Sequence, residues 1–487
     1  MLLLDSDACY RAVRARDRRF DGRFFVAVSS TRIYCRPICP VRPPKRENMH
    51  FYSSAAAAEG AGYRPCLRCR PERAPGLGGA VDAVSRLASA AIAGMEEHAL
   101  TSDGLTRLAA SLGVSDRHLR RVTEAELGVS PVELAQTQRL LLAKRLLSET
   151  PLKLTDVAFA SGFGSVRRFN ALFKSRYGLS PRSLRAAARS SRASANDAGA
   201  LACQLDFRPP LAWDRLLDYL RLRAIPGVEA VDATHYRRTV AIDEHAGWIA
   251  VSLADNGMAL KVDVSHSLAP VIGAVIARVK QLFDLGAAPD AVSAVLSQDV
   301  ALAPVVRRFP GLRVPGAFDG FELGVRAILG QQVSVRAATT IAGRWAQAFG
   351  AELATPHLGL NRLTPTAGQA AGVSADAIAA LGIVGSRARC IAALVRAVNE
   401  RRVVLSCAVD VETQIDALMG LPGIGPWTAH YIAMRALHWP DAFPGTDLML
   451  LRAADCSRKQ LHARAEAWRP WRAYATHYLW QSLGVFP

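Results

Sequence analysis

Chemistry in this chain can start at four of its nine cysteines, which fall into two close pairs: Cys35-x3-Cys39 and, after 26 residues, Cys66-x2-Cys69. Two short pairs joined by a longer loop suit a tetrahedral zinc site with four thiolate ligands. Spacing alone leaves open whether the site is a closed structural clip, the usual case, or a reactive centre. Zinc holds a thiolate deprotonated at neutral pH, and the thiolate is the nucleophilic form of cysteine. The other five, Cys9, Cys203, Cys390, Cys407 and Cys456, are scattered.

The second candidate centre lies in LPGIGPWTAHYIA (421–433), which reads as two helices joined by a Pro-Gly-Ile-Gly hairpin. Gly423 and Gly425 would let backbone N–H groups approach a DNA phosphate closely. A hairpin of this kind reads no base sequence, so it serves enzymes that act anywhere and also plain anchoring modules. Downstream, AFPGTDLMLLRA places Asp447 about twenty residues after the hairpin, directly before a helical run. Aspartate suits the N-cap of that run, and its carboxylate could also face a pocket. No closely spaced four-cysteine set follows the hairpin, so no iron–sulfur cluster is expected.

These centres need helices to carry them. LTRLAASLGVSDRHLRRVTEAELGVSP (105–131) predicts a helix, a turn at Gly113, and a second helix capped by Ser115 that exposes Arg117, His118, Arg120 and Arg121. That is helix-turn-helix spacing with a basic second helix suited to the major groove. The unit recurs as LTDVAFASGFGSVRRFNALFKSRYGLSP (154–181), with Arg167, Arg168 and Asn170 on its second helix and QRLLLAKRLLSET between the two. A helical core without DNA contacts fits the pattern of either unit alone. Arginines here could pair with guanine edges or merely neutralise phosphates.

The 487 residues allow about three or four domains. A net charge of +18, roughly +14 of it in residues 1–198, points to a polyanionic partner, nucleic acid before an acidic membrane surface. The opening MLLLDSDACYRAVRARDRRF is broken by charges and does not read as a secretory signal. No uninterrupted apolar run reaches about 18 residues, so a membrane span is not expected. Ala74 to Gly79 reads as a hinge and RSSRASANDAG (189–199) as a flexible linker. THYRRTVAI, GWIAVSLA and ALKVDV read as strands, with a turn at Asp255-Asn256-Gly257, and SLAPVIGAVIARVKQLF as a helix. From about 291 onward the pattern is helical, with loops rich in Gly and Pro.

Three family resemblances bear on these residues. DGRFFVAVSSTRIYCRPICP, RENMHFY and YRPCLRC closely resemble the N-terminal domain of Ada-type adaptive-response regulators. The resemblance implies that Cys35 is both zinc ligand and acceptor of a methyl group from a DNA phosphotriester. Methylation would take the tetrathiolate centre from about −2 to about −1, so damage becomes a gain in DNA affinity. It also gives DNA-facing roles to Thr31, Arg42 and Arg64, while Pro40 departs from a position where the family can place arginine. The paired helical motifs, with the run GF-x-S-x-x-x-F-x-x-x-F-K, resemble the AraC-type DNA-binding domain. Promoter binding is the role this implies, with RNA polymerase as partner of an activator.

The hairpin with its aspartate resembles the helix-hairpin-helix DNA glycosylases. RAILGQQVSVRAA (326–338), AWRPWRAYATHYLW (467–480) and the preceding α/β block resemble the AlkA-type 3-methyladenine DNA glycosylases in particular. Asp447 is then the catalytic carboxylate, and Trp427, Tyr431 and Trp480 are the aromatic walls for a flipped, cationic base. Trp427 stands where the lyase branch has a lysine, implying a monofunctional glycosylase. Gln332 stands where the subgroup often has an apolar wedge. No Pro-Cys-His-Arg signature of an alkylguanine methyl-acceptor domain occurs.

The expected architecture is multidomain and mainly α with α+β. It comprises an Ada-type zinc domain (1–75), an AraC-type double helix-turn-helix (80–188), the linker, an AlkA-type α+β domain (200–310) and an all-helical helix-hairpin-helix core (311–487). The expected cofactor is one Zn2+ and the partner double-stranded DNA, damaged or promoter. A monomer in the cytoplasm, associated with the nucleoid, is expected. Still open are a regulator whose glycosylase-like half only binds DNA, and an excision enzyme in which Cys35 is purely structural.

Overall fold

A computed structural model of the chain describes residues 5–76, 83–97, 102–189 and 200–484. The linker expected over 189–199 lies outside the described residues except for Arg189, as do residues 77–79 of the expected hinge. The chain forms two compact units, Met1–Pro209 with Ala254–Ala277, and Pro210–Leu253 with Arg278–Pro487. The fold is multidomain and mainly helical with small sheets.

The first unit opens with helix α1 (Ser6–Ala15), capped by the Asp5 side chain and stopped by Arg16 in the left-handed region. Strands β1 (Phe25–Val28), β2 (Ile33–Cys35), β3 (Met49–Tyr52) and β4 (Arg64–Pro65) form a sheet of order β3-β1-β2-β4. Only β2 and β4 pair in parallel. Residues along a strand point alternately to the two faces, and β1 is apolar throughout because both faces are covered. Phe24 and Val26 pack with Cys9, Ala12 and Val13 of α1 and with Met49, whereas Phe25 and Ala27 pack with Tyr34, Tyr63 and Ala58 of α2 (Ala55–Gly60).

Helix α3 (Ala83–Glu97) leads to the two expected helix pairs. They are α4 (Ser102–Ser111) with α5 (Asp116–Leu127), and α7 (Leu154–Ala160) with α8 (Val166–Tyr177). Each turn bends through a left-handed glycine, Gly113 at φ 68° and Gly162 at φ 78°, where a side chain would be strained. Ser115 and Ser165 cap α5 and α8 by accepting from the amides of His118 and Arg168. The joining helix α6 (Pro131–Glu149) starts with a capping box of Ser130 and Glu133, and α9 (Pro181–Arg189) closes the set.

Two buried carboxylates tie the first sheet to these helices. Glu59 of α2 accepts from Tyr34 Oη (3.0 Å), Thr137 Oγ1 of α6 (3.1 Å) and Tyr177 Oη of α8 (3.3 Å). Burial pushes its carboxyl up to about 7 despite these donors. Glu72 pairs with Lys144 of α6 at 2.5 Å, both nearly solvent-free. Burial acts to raise its pKa, but Lys144 and Arg70 outweigh it and hold it down to about 2.

Strands β5 (Ala200–Asp206) and β9 (Ala259–Ser265) of this unit pair antiparallel from Ala200↔Ser265 to Asp206↔Ala259. The turn before β9 has Gly257 at φ 64°, its amide bonded to Ala254 O at 2.8 Å. Of the expected helix SLAPVIGAVIARVKQLF, the first residues are instead part of a 3-10 segment, His266–Val271, which contains Pro270. The missing proline N–H disrupts α-helical pairing there, and the α-helix runs from Ile272 to Leu282.

In the second unit, β6 (Glu229–Val231), β7 (His235–Ile242) and β8 (His245–Leu253) form an antiparallel meander beside α10 (Trp213–Arg221). Helices α11 (Gly320–Leu329), α12 (Val335–Phe349), α13 (Gly385–Asn399), α14 (Val411–Met419), α15 (Pro426–Arg435), α16 (Leu448–Ala454) and α17 (Arg472–Ser482) build most of the rest. Arg238 of β7 meets Glu322 of α11 at 2.7 Å. No helix among the described residues is long and apolar enough to cross a membrane.

Candidate functional site

The parallel pairing of β2 with β4 assembles the cysteine centre. It sets Ile33 beside Arg64 and Tyr34 beside Pro65, and the Cys66 amide donates to Tyr34 O at 2.9 Å. Cys35 at the end of β2 therefore meets Cys66 just past β4. A turn closed by Cys39 N–H to Arg36 O (3.1 Å) returns Cys39 to the same place, and the Arg36 amide donates to Cys69 Sγ at 3.3 Å. The four sulfurs all lie within 4.8 Å of one another. A tetrahedral zinc with bonds of about 2.3 Å needs sulfurs about 3.8 Å apart, so the donor set fits zinc. Cys66 and Cys69 are buried, whereas Cys35 and Cys39 keep partial access.

Around this centre Thr31 and Arg42 are exposed and Arg64 is half-buried. Thr31 lies in the turn between β1 and β2, its amide bonded to Val28 O at 3.2 Å. At the departing position, the Pro40 carbonyl accepts from Arg16 at 2.9 Å. On the second helices, Arg117, Arg120 and Arg121 of α5 and Arg167, Arg168 and Asn170 of α8 are exposed. The buried faces are Leu119, Val122 and Leu127 on α5, and Phe169, Phe173 and Tyr177 on α8.

The second unit brings Asp447, Trp427, Tyr431 and Trp480 together. Asp447 caps α16: its Oδ1 accepts from the amides of Met449 and Leu450, both at 2.9 Å. The same oxygen takes Trp480 Nε1–H at 3.2 Å, and Oδ2 takes Trp427 Nε1–H at 2.7 Å. One carboxylate thus both caps α16, as expected, and holds two of the aromatic residues. Trp427 and Tyr431, one turn apart on α15, stack with centroids 5.1 Å apart and planes at 8°. Successive turns of one helix place i and i+4 over each other.

The hairpin before α15 has Gly423 at φ 89°, where an added Cβ would also press on Cys390. Gly425 is the extended N-cap of α15 and would meet nothing, so packing does not demand that glycine. Gln332 is exposed, with φ 55°. Its neighbour Gln331 anchors that loop to the hairpin, donating to Gly423 O (2.9 Å) and Thr428 Oγ1 (3.0 Å).

Sequence reasoning missed Gln331, Tyr219, Arg223 and Arg435. Tyr219 Oη lies 3.2 Å from Tyr431 Oη, and Arg435 donates to Tyr431 Oη at 3.0 Å. Arg223 covers the Tyr219 ring at 3.8 Å. One signal was legible, since Trp427, Tyr431 and Arg435 share an i, i+4, i+8 face. Tyr219 sits 212 residues from Tyr431 in sequence and carried no signal.

Comparison with known proteins agrees with these features. Residues 8–72 match the metal binding domain of Ada, 108–187 a helix-turn-helix domain, 202–319 the AlkA N-terminal domain, and 325–462 the HhH-GPD superfamily of base excision DNA repair proteins. Fold and site together define a DNA-binding protein that joins a zinc-binding transcription regulator to a DNA glycosylase fold. A Mycobacterium tuberculosis (strain H37Rv) protein described as “Probable bifunctional transcriptional activator/DNA repair enzyme AlkA” is 39% identical over 98% of this chain and 97% of its own length. The chain belongs to this family of bifunctional activator and DNA repair fusions. The Escherichia coli (strain K12) DNA-3-methyladenine glycosylase 2 is 35% identical across 58% of this chain and 98% of its own. The solved 3-methyladenine DNA-glycosylase of Archaeoglobus fulgidus shares the fold, with TM-score 0.50 and 20% identity over 57% of this chain and 96% of that one.

Proposed function

We propose that the second unit hydrolyses the N-glycosidic bond of alkylated purines such as 3-methyladenine, with Asp447 as catalytic carboxylate. The observation that carries this reading is Asp447 gripped by the indole N–H groups of Trp427 and Trp480 beside a stacked Trp427–Tyr431 wall. A flipped cationic base is held on these faces. As the bond from C1′ to the base nitrogen breaks, its electron pair leaves with the base and neutralises it. Asp447 faces the positive charge that develops on the sugar. Water then adds to C1′ through its oxygen, and its proton passes to the Asp447 carboxylate and on to solvent. Gly423, Gly425 and Gln332 hold the DNA backbone and the gap. Trp427 fills the position of a lyase lysine, so the enzyme is monofunctional.

In the first unit Cys35 is the methyl acceptor. Its sulfur attacks the methyl carbon of a phosphotriester, an S–C bond forms, the C–O bond breaks, and the electron pair stays on the phosphate oxygen. One zinc ion bound by Cys35, Cys39, Cys66 and Cys69 supplies a stabilised thiolate. The less negative centre then favours DNA, with Thr31, Arg42 and Arg64 at phosphates and Arg117, Arg120, Arg167 and Arg168 in the groove. The domains follow the divisions 1–75, 80–188, 200–310 and 311–487, and the protein acts as a cytoplasmic, nucleoid-associated monomer that recruits RNA polymerase.

The test is base release from methylated duplex DNA by the full chain beside Asp447→Asn, with the mass of the Cys35 peptide read after exposure to methylated DNA. Release by the wild type alone, and one added methyl on Cys35, are the expected results. The cap contacts of Asp447 favour the second reading, a carboxylate with a structural role only in a regulator. DNA binding without release by either protein would establish that reading instead.

A further inference from the structure

Buried charges in proteins are paired, because an isolated ion loses its hydration without compensation. Two buried arginines of the second unit obey this rule with carboxylates: Arg238 meets Glu322 at 2.7 Å, and Arg472 meets Asp441 at 2.7 Å. Arg435 does not. It is 4% exposed and donates to Pro315 O (2.8 Å), Gly316 O (2.9 Å) and Tyr431 Oη (3.0 Å). Among the described residues no carboxylate hydrogen-bonds it. The two carbonyls fix the guanidinium in place, and the one partner able to become an anion is Tyr431.

The surroundings strengthen that demand. Tyr219 and Arg223 face Tyr431 from the α10 end, and Arg223 lies over the Tyr219 ring. Arg326 of α11 adds a third cation and donates to Thr339 at 2.7 Å. Glu229 of β6 acts on Arg435 only from a distance, since it is engaged by Tyr236 Oη at 2.5 Å and the Ile225 amide at 3.0 Å. His477 of α17, 5.3 Å from the Tyr219 ring, is held neutral by burial and by Arg435 and Arg223. Asp447 bonds to the indole of Trp427, the ring stacked on Tyr431. Glu229 also acts on Arg326, as does Glu322, which is paired with Arg238, so the guanidinium beside Tyr431 with no hydrogen-bonded carboxylate is that of Arg435.

Burial acts to raise the Tyr431 phenol, but Arg435 and Arg223 outweigh it and hold it down to about 7. Burial pushes Tyr219 up to about 12. The two phenol oxygens lie 3.2 Å apart, and with Tyr431 facing the guanidiniums Tyr219 is the partner placed to donate to it.

We propose that Tyr431 stands near neutral pH as a phenolate, with Arg435 as its counterion and Tyr219 as its hydrogen-bond donor, and that this anion makes the base pocket select positively charged purines over neutral ones. The selection rests on the glycosylase reading above; the ionisation does not. Aromatic stacking on Trp427 holds a neutral and a cationic base alike, whereas a full negative charge in the wall rewards only the cation. Without that charge the buried Arg435 guanidinium would oppose the very bases whose glycosidic bonds are weakest.

The test uses the full chain and its Tyr431→Phe variant under single-turnover conditions. The substrates are duplex DNA with one 3-methyladenine, a base that stays cationic through neutral pH, or one hypoxanthine, a neutral one. The readout is the wild-type to variant rate ratio for 3-methyladenine divided by the same ratio for hypoxanthine. It should rise on the order of ten-fold between about pH 6 and about pH 8 as the phenolate forms. A quotient that stays flat near one overturns the selection. Near-ultraviolet phenolate absorbance of the free protein, wild type minus variant, should titrate with a midpoint near about 7. In Tyr219→Phe, which keeps Tyr431 but loses its donor, that midpoint should move up. A Tyr431 that ionises only above about pH 9 overturns the proposal outright. If neither base is released, the glycosylase reading fails, and the absorbance titration alone decides the ionisation.

Discussion

Trp427 does two jobs that a single substitution can separate. Its ring stacks on Tyr431, and its indole N–H holds Asp447 Oδ2 at 2.7 Å. Trp427→Phe keeps an aromatic face and removes that donor. A hydrogen bond to a charged group contributes about 1.5–3 kcal/mol, so under the proposed mechanism, in which the carboxylate must stay aimed at the developing sugar charge, the variant loses about 10- to 100-fold in rate. The cap contacts from Met449 and Leu450 remain, so α16 stays formed and stability changes little. Trp480→Phe removes a longer bond, 3.2 Å, to the other oxygen and should cost less. The assay is single-turnover release of methylated purines at saturating protein, beside DNA affinity and circular dichroism. Equal losses from both variants, or a Trp427→Phe rate within about two-fold of wild type, would refute the claim that this bond aims the carboxylate.

Other expectations concern the first unit. Because burial raises the Glu59 carboxyl to about 7, its contribution is complete below the unfolded value and is lost as pH rises through about 7. Glu59→Gln should abolish that slope, changing the wild-type-to-variant stability difference by about 2 kcal/mol between about pH 5 and about pH 8; equal slopes in denaturant titrations would contradict it. Glu72 is the opposite case: held down to about 2 beside Lys144, it stabilises above the usual carboxylate range and loses this as pH falls through about 2. Lys144→Met leaves Glu72 buried with Arg70 as its remaining partner and should cost about 2 kcal/mol, read as lost hydrogen-exchange protection in α6. Chelating zinc should unfold much of residues 5–74, since metal binding drives folding in small thiolate sites. Base release should persist, and its simultaneous loss would mean that the two activities are not separable.

Local chemistry was legible in the sequence because it depends on spacing over a few residues. The cysteine pairs, the turn at Gly113, the cap at Ser115 and the hairpin at Gly423 are short-range features, and the described elements follow them. The 3-10 segment at His266–Val271 was misread because helical hydrophobic spacing continues across Pro270, whose missing N–H changes the local hydrogen bonding. What only the tertiary structure decided is which distant groups share a desolvated space. It alone puts Glu59 against Tyr34, Thr137 and Tyr177, ties both oxygens of Asp447 to indoles 20 and 33 residues away in sequence, and sets Tyr219 and Arg435 on Tyr431. Spacing can say that a residue is able to ionise, stack or bind metal. Burial and neighbours set the free energy of its charge, and those exist only once the chain has closed on itself.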